Sequence, residues 1–354
     1  NVAMVNYYFH SKEALHLAAF DHARELARAS AADVAAASAR AQLPPVEQLR
    51  LAIEALVSDM LRSGSASLFS RLVARELIEP TAAIHKLADF IGTLAYYAVA
   101  PRRKVGEVNL RLCYPEWSEA ERRKLLKRHF QHMAKLLCEY GLYWYADAGR
   151  LKKLVRYQDK HYLDEALAAG GKVILLYPHF TAFEMAVYTL NQDVPLVSMY
   201  SHQKNKAMDE QILKGRHRYN NVFLIGRTEG LRAIIKHLRK SDAPFLYLPD
   251  QDFGRADSIF VDFFGIPTAT IAGLSRIAAM TGAKVIPAIP TREADNTVSL
   301  RFYPAWENFP GHDAAADTQR MNDFIEARVR EQPAQYFWLH KRFKTRPEGE
   351  AGFY

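Results

Sequence analysis

The residues with the clearest chemical potential are His179 and Glu184, in the run His179-Phe-Thr-Ala-Phe-Glu184. Histidine titrates near neutrality, so it can accept a proton from an alcohol as that alcohol attacks a thioester. A carboxylate beside it fixes the tautomer and stabilises the imidazolium. Five helical steps turn about 500°, so the two cannot share one helix face. The pair works only if His179 sits in a loop and Glu184 in the first turn of the helix that follows. A structural alternative stays open at this level. Thr181-Ala-Phe-Glu184 also has the spacing of a capping box, in which Glu184 merely ties down a helix start.

Further polar groups lie downstream. Arg216, Arg218 and Arg227 precede a helix expected from about Glu229, and arginine suits phosphate through its planar, bidentate fork. Pro249-Asp-Gln-Asp-Phe-Gly254 follows an apolar run, so Asp250 falls at a strand's carboxyl end. Phe263-Phe-Gly-Ile-Pro267 and Ala269-Thr270 are read as opening the next helix, whose N-terminus could hold an anion. His202 and His217 lack ligand spacing, so no metal is expected. No cofactor is expected either.

These residues need a scaffold. From residue 172 onward short apolar runs alternate with helical stretches. Strands are expected over 173–177, 196–199, 222–225, 245–248, 285–289 and 298–302, with helices over 229–239 and 271–280. This rhythm predicts an α/β fold: a mixed, largely parallel sheet flanked by helices. In such a sheet, sites gather beyond the carboxyl ends of strands, where His179 and Asp250 fall. Ser118-Glu-Ala-Glu121 is a capping-box pattern and predicts a helix running to about residue 144.

The N-terminal part reads as all-helical, with breaks at Pro44-Pro45, Ser63-Gly-Ser and Pro80. The apolar run 87–100 is too short to span a bilayer, which takes about 20 residues. Arg102-Arg103-Lys104 follow it closely, a combination that suits either a membrane interface or a buried helix. Charge is uneven along the chain. Residues 1–100 carry 9 Lys+Arg against 10 Asp+Glu, residues 101–160 carry 15 against 7, and the rest 23 against 22. A basic block of this kind fits an anionic surface. The two cysteines, Cys113 and Cys138, exclude a disulfide framework of several bridges.

The motif series resembles the late acyltransferases of lipid A biosynthesis, the lauroyl/myristoyl transferases, from about residue 85 to Tyr354. The block from Asn109 to Arg123, the HxxxxE motif at 179–184, the blocks at 249–254 and 263–265, and the run from Tyr336 to Gly349 stand in that family's order. The resemblance implies a glycerolipid-acyltransferase-like fold. It implies acyl-ACP-dependent O-acyl transfer: a fatty chain moves from acyl carrier protein to a hydroxyl of a lipid A precursor during lipopolysaccharide biosynthesis, at the cytoplasmic face of the inner membrane. By resemblance His179 is the base, Glu184 its partner, and Arg216, Arg218, Arg227 and Asp250 line the polar, substrate-binding part. Acyl carrier protein, an anionic membrane surface and the lipid acceptor are the implied partners. Another lipid acceptor is the alternative.

Residues 1–84 resemble something else. Val5-Asn-Tyr-Tyr-Phe-His-Ser-Lys-Glu-Ala-Leu15 is similar to the recognition-helix end of TetR-type repressors. The first residue is Asn1, and the family's transmembrane helix is not seen, so this segment is read as a truncated helix-turn-helix fragment in the place of that anchor. This leads to an expected peripheral or weakly anchored enzyme. A DNA-binding regulator fused to a lipid-sensing domain is the second hypothesis, but nucleic acid is not an expected partner. The segment's slight negative charge opposes phosphate binding, and its DNA reader is incomplete.

Overall fold

The computed structural model describes residues 82–354 apart from 204–205, 220–221, 227–228 and 257. The repressor-like stretch and Arg227 lie outside the described residues. The described part opens with α1 (Ala82–Ala98), which runs through position 85, then α2 (Ala100–Cys113) and α3 (Glu119–Cys138). The capping box at Ser118 is made: the Glu121 amide donates to Ser118 Oγ at 3.3 Å and the Ser118 amide to Glu121 Oε2 at 2.7 Å. The helix expected to reach residue 144 breaks at Glu139, and a separate turn, α4 (Tyr140–Tyr145), follows. The break has a cause in tertiary structure, because Glu139 turns inward to Arg292.

Next come α5 (Ala148–Leu154), β1 (Val155–Gln158), α6 (His161–Ala168), β2 (Val173–Leu176), α7 (Phe183–Asp193), β3 (Val197–Tyr200), α8 (Lys206–Arg216), β4 (Phe223–Gly226), α9 (Gly230–Leu238) and β5 (Phe245–Tyr247). A hairpin of β6 (Ser258–Phe263) and β7 (Ile266–Ile271) leads to α10 (Gly273–Thr281), β8 (Lys284–Arg292), β9 (Val298–Phe302) and α11 (Ala314–Glu331).

Seven strands form one sheet in the order β1-β9-β8-β2-β5-β3-β4. Its neighbours are parallel except β8 and β9. The mixed, largely parallel α/β sheet expected from the sequence is therefore the observed one, and all six expected strands are present. β2 shows why the apolar runs were legible. All four of its residues are buried, as a strand covered by helices on both faces requires.

Two elements were misread. β1 was not expected. Its residues Val-Arg-Tyr-Gln mix apolar and charged types because it is the sheet's edge. The stretch 263–270 was expected to open a helix but forms the β6–β7 hairpin. Phe264 and Gly265 both take positive φ, 55° and 69°, the geometry of a tight two-residue hairpin turn. Asn322 of α11 donates to the Asp262 carbonyl at 3.0 Å and seats the hairpin on that helix.

Helices cover both sheet faces, giving two apolar layers. One packs α2, α3, α9, α10 and α11 around Ile174, Leu176 and Phe245. The other packs α4 to α7 around Leu175, Tyr177 and Leu246. The run 87–100 is buried on one side only. Leu87, Ala88 and Tyr96 are buried, while Ile91, Tyr97 and Val99 are exposed. Among the described residues no helix is long and apolar enough to cross a membrane. Both cysteines are buried and unpaired.

α3 also buries histidines. His129 is fully inside, its Nδ1 at 3.1 Å from the Ala334 carbonyl, and burial lowers its pKa to about 4. Burial, followed by Lys135 and Arg292, lowers that of His132 to about 3. The folded values lie below the unfolded value of 6.5, so unfolding takes up protons at acid pH. The stability these groups contribute is complete above pH 6.5 and is lost as pH falls toward 4. Each supplies a slope of up to about 1.4 kcal/mol per pH unit. Urea unfolding at pH 7, 6 and 5 is expected to show a steadily falling midpoint. A midpoint flat across that range would show that the imidazoles are not buried neutral.

Candidate active site

The site begins with strand register. β2 and β5 are adjacent and parallel, pairing Ile174 with Phe245 and Leu176 with Tyr247. Tyr177 continues the ladder by donating its amide to the Tyr247 carbonyl at 2.9 Å. The same offset of 71 residues sets His179 abreast of Asp250. There His179 Nδ1 lies 2.7 Å from Asp250 Oδ1, and the His179 amide donates to Asp250 Oδ2 at 2.9 Å. The carboxylate on the imidazole is thus Asp250 and not Glu184, which corrects the pairing read from the sequence. Asp250 is 3% exposed, and the wall of the adjacent cavity is formed by others, so its expected place in a substrate-binding lining is corrected too.

Burial alone would raise the Asp250 carboxyl. The His179 ring and the two His179 hydrogen bonds outweigh it and hold the carboxyl below its ordinary value. An ionised carboxylate only accepts, so Nδ1 must carry the hydrogen and Nε2 keeps its lone pair. His179 itself reaches the cavity wall.

Glu184 stands in the first turn of α7, as expected, but faces elsewhere. Its Oε1 accepts from Arg216 Nη2 at 2.8 Å and from the Tyr140 hydroxyl at 3.2 Å. The capping box at 181–184 is not made. Ala182 is the N-cap, no side chain caps the helix, and Thr181 Oγ1 is buried without a partner. Glu184 is therefore free to hold Arg216, at the end of α8. Preceding it, Gly215 permits a close approach to α4, since a Cβ there would run into the Trp144 ring. Arg216 also lies over the Tyr200 ring, 5.2 Å from its centroid. Arg218 is not drawn in. It is exposed beyond α8, donating to the Tyr143 carbonyl at 3.2 Å.

His179, Glu184 and Arg216 meet at a cavity of about 610 Å³. It opens where neighbouring strands part. β3 pairs with β5 only through Val197 and Ser198, yet with β4 as far as Tyr200. The diverging ends leave a cleft walled by Met199, Leu246, Leu248, Leu224, Ile234 and Ile277. Its volume and apolar lining with a few converging polar groups match an ordinary small-molecule site of about 300–1,000 Å³. Among the described residues no group of three or more His, Cys, Asp or Glu could hold a metal.

Behind the site, residues 335–346 brace both loops. Phe337 donates its amide to the His179 carbonyl and Thr181 donates to the Gln335 carbonyl. His340 Nε2 accepts from the Asp252 amide at 2.9 Å, and Thr345 donates from its amide and hydroxyl to the Asp252 carboxylate. Asp252 is therefore a structural anchor for the loop that presents Asp250. Sequence reading marked the run 336–349 as a family block without seeing its bracing role, and missed Tyr140, because the partners of both lie far away in sequence.

Comparison with known proteins gives the family. A family model described as bacterial lipid A biosynthesis acyltransferase matches residues 58–345. The chain belongs to this family. Its match begins inside the stretch read as repressor-like. The lipid A biosynthesis lauroyltransferase of Escherichia coli K12 is 32% identical over 272 residues, covering 76% of this chain and 88% of that one. The palmitoleoyltransferase of the same strain is 32% identical over 270 residues, covering 76% and 87%. Its myristoyltransferase is 29% identical over 267 residues, covering 75% and 81%. A solved 1-acyl-sn-glycerophosphate acyltransferase from Thermotoga maritima overlays with a TM-score of 0.35 at 15% identity, over 71% of this chain and 99% of that one. As a family member the protein is an acyltransferase of lipid A biosynthesis.

Proposed function

We propose that this acyltransferase moves a lauroyl/myristoyl-class chain from acyl carrier protein to a hydroxyl of a lipid A precursor, with His179 as general base. The enzyme unit is taken as residues from about 85 to the C-terminus. The observation that carries the reading is the His179–Asp250 pair, whose imidazole lines an apolar cavity. Asp250 keeps the proton on Nδ1, so Nε2 is free to take the acceptor's hydroxyl proton. The oxygen then bonds to the thioester carbonyl carbon, giving a tetrahedral intermediate. Its collapse breaks the C–S bond, and the imidazolium returns the proton to the departing thiolate. The cavity receives the acyl tail, and Arg216, steadied by Glu184 and Tyr140, presents a cation to developing or resident negative charge. Arg218 belongs to this proposal only as a more distant cation for the acceptor, and Arg227 only as a cation named from the sequence.

The cytoplasmic face of the inner membrane is the proposed place of work. Supporting it, Ile91 and Tyr97 are exposed on α1, Val99 just after it, and Arg102, Lys104 and Arg111 on α2. Apolar side chains beside cations suit an anionic interface.

The test is His179→Ala in an assay of acyl transfer on membranes. His179 is part-exposed at a loop end, so the variant should fold normally. The expected loss in kcat is about 10²–10⁴-fold, the range for a positioned base. Full activity in the variant would remove the mechanism.

A further inference from the structure

The acid–base pair and Arg216 leave another part of the cavity wall unexplained. On it Ile271, Ala272, Gly273 and Arg276 line the cavity together, and they are the end of β7 and the first turn of α10. Ala272 is the N-cap, and no side chain caps this helix end. Its first amides therefore point outward with the positive end of a nine-residue helix behind them.

Two side chains converge on the same place. Arg276 follows Gly273 by three residues, so the two share a helix face. It is exposed to the cavity and has no hydrogen bond or ion pair among the described residues. Tyr247, the last residue of β5, is 7% exposed and also lines the cavity. Its hydroxyl is buried without a partner. That hydroxyl lies against the start of α10, for a Cβ on Gly273 would stand only 2.7 Å from it. Glycine at 273 is what leaves room for the hydroxyl there.

A buried hydroxyl with no partner is destabilising, so a ligand that accepts from it gains by binding. The amides and the guanidinium only donate, and the hydroxyl has a hydrogen to donate. The matching ligand is an anion with several oxygens, and a helix N-terminus with arginine is the usual holder of a phosphoryl group. We propose that the α10 N-terminus, Tyr247 and Arg276 form an anion subsite on the cavity wall that binds a phosphoryl group of a substrate. The subsite is separate from the Glu184–Arg216 pair, whose cation is already matched by a carboxylate. It rests on the acyl-transfer reading only for the source of the phosphate, which is either the phosphodiester of a pantetheine-type donor arm or a phosphate on the lipid acceptor.

The first test titrates inorganic phosphate into the full chain and follows binding by phosphorus NMR. Saturable binding is expected, weakened at least tenfold in Arg276→Gln and severalfold in Tyr247→Phe. It should be retained in His179→Ala, so failure of the base mechanism reads separately. Thermal midpoints without phosphate check that both variants fold; Arg276 is exposed and Tyr247→Phe removes one oxygen. Phosphate binding absent, or equal in the wild type and both variants, overturns the subsite. The second test compares KM values in Arg276→Gln. A roughly tenfold rise for a phosphopantetheine-linked acyl donor, with none for an acyl-N-acetylcysteamine, assigns the phosphate to the donor. A rise for the phosphorylated acceptor, with none for its dephosphorylated form, assigns it to the acceptor. Weakened phosphate binding with neither KM moved overturns the substrate role.

Discussion

Asp250→Asn is expected to reduce kcat by about 10²–10⁴-fold while leaving the fold intact. The reason lies in a count of donors and acceptors. Two donors from one residue, the His179 amide and Nδ1–H, each meet a separate oxygen of Asp250. Asparagine has one oxygen. The backbone amide can only donate, so it keeps that oxygen, and the side-chain NH₂ turns to Nδ1. The ring then takes its other tautomer, with hydrogen on Nε2 and no lone pair for the acceptor hydroxyl. Glu184→Gln is expected to act differently. It weakens the hold on Arg216 and lowers activity, but leaves the pH dependence set by the imidazole where it was. The two variants are compared through kcat–pH profiles. If Asp250→Asn keeps wild-type kcat while Glu184→Gln shifts the profile, then Glu184 and not Asp250 serves the working imidazole.

The second large effect concerns stability. Glu139→Ala is expected to cost about 3–5 kcal/mol. Glu139 is wholly buried, and its carboxylate meets Arg292 in a two-pronged pair with both distances at 2.6 Å. Tyr143 adds a third hydrogen bond at 2.9 Å. Removing the carboxylate leaves the Arg292 guanidinium buried with no counter-charge. Folded domains are stable by about 5–15 kcal/mol, so the loss is a large fraction of the whole. Replacing the group together, with Glu139→Met, Arg292→Met and Tyr143→Phe, should cost far less, since no charge is then stranded. Urea denaturation midpoints decide this. A single variant as stable as the wild type would show that the pair is solvated in solution. The network also reaches the site. Gln335 binds the Arg292 amide and carbonyl with its side chain, and its own carbonyl receives the Thr181 amide two residues from His179. Activity lost by Glu139→Ala is therefore expected to return with the triple replacement.

Chain length illustrates a limit of identity. Relatives named for lauroyl and myristoyl transfer are 32% and 29% identical to this chain. Two methylenes in an apolar cavity are worth about 1.6 kcal/mol, which a single wall residue can grant or deny. Overall similarity averages over hundreds of residues and does not report on that wall.

The sequence by itself determined six of the strands and the α/β class. Buried parallel strands are continuous apolar runs, so 173–176 and 245–247 declare themselves without any knowledge of neighbours. It also determined that His179 and Asp250 each lie just beyond a strand's end, because the apolar run stops shortly before each. The Ser118 cap was legible for the same reason, since both its partners lie within four residues. Partnership was decided only in three dimensions. Glu184 is five residues from His179 in the chain, yet Asp250, 71 residues away, is its hydrogen-bond partner, because β2 and β5 lie side by side with that offset. The hairpin at 258–271 escaped notice because its turn uses Phe264 and Gly265 rather than the usual asparagine and glycine. The cavity, and with it Tyr247 and Arg276, is absent from any local pattern. It exists because β3 and β5 diverge after two paired residues, and divergence is a property of packed strands rather than of either strand's residues.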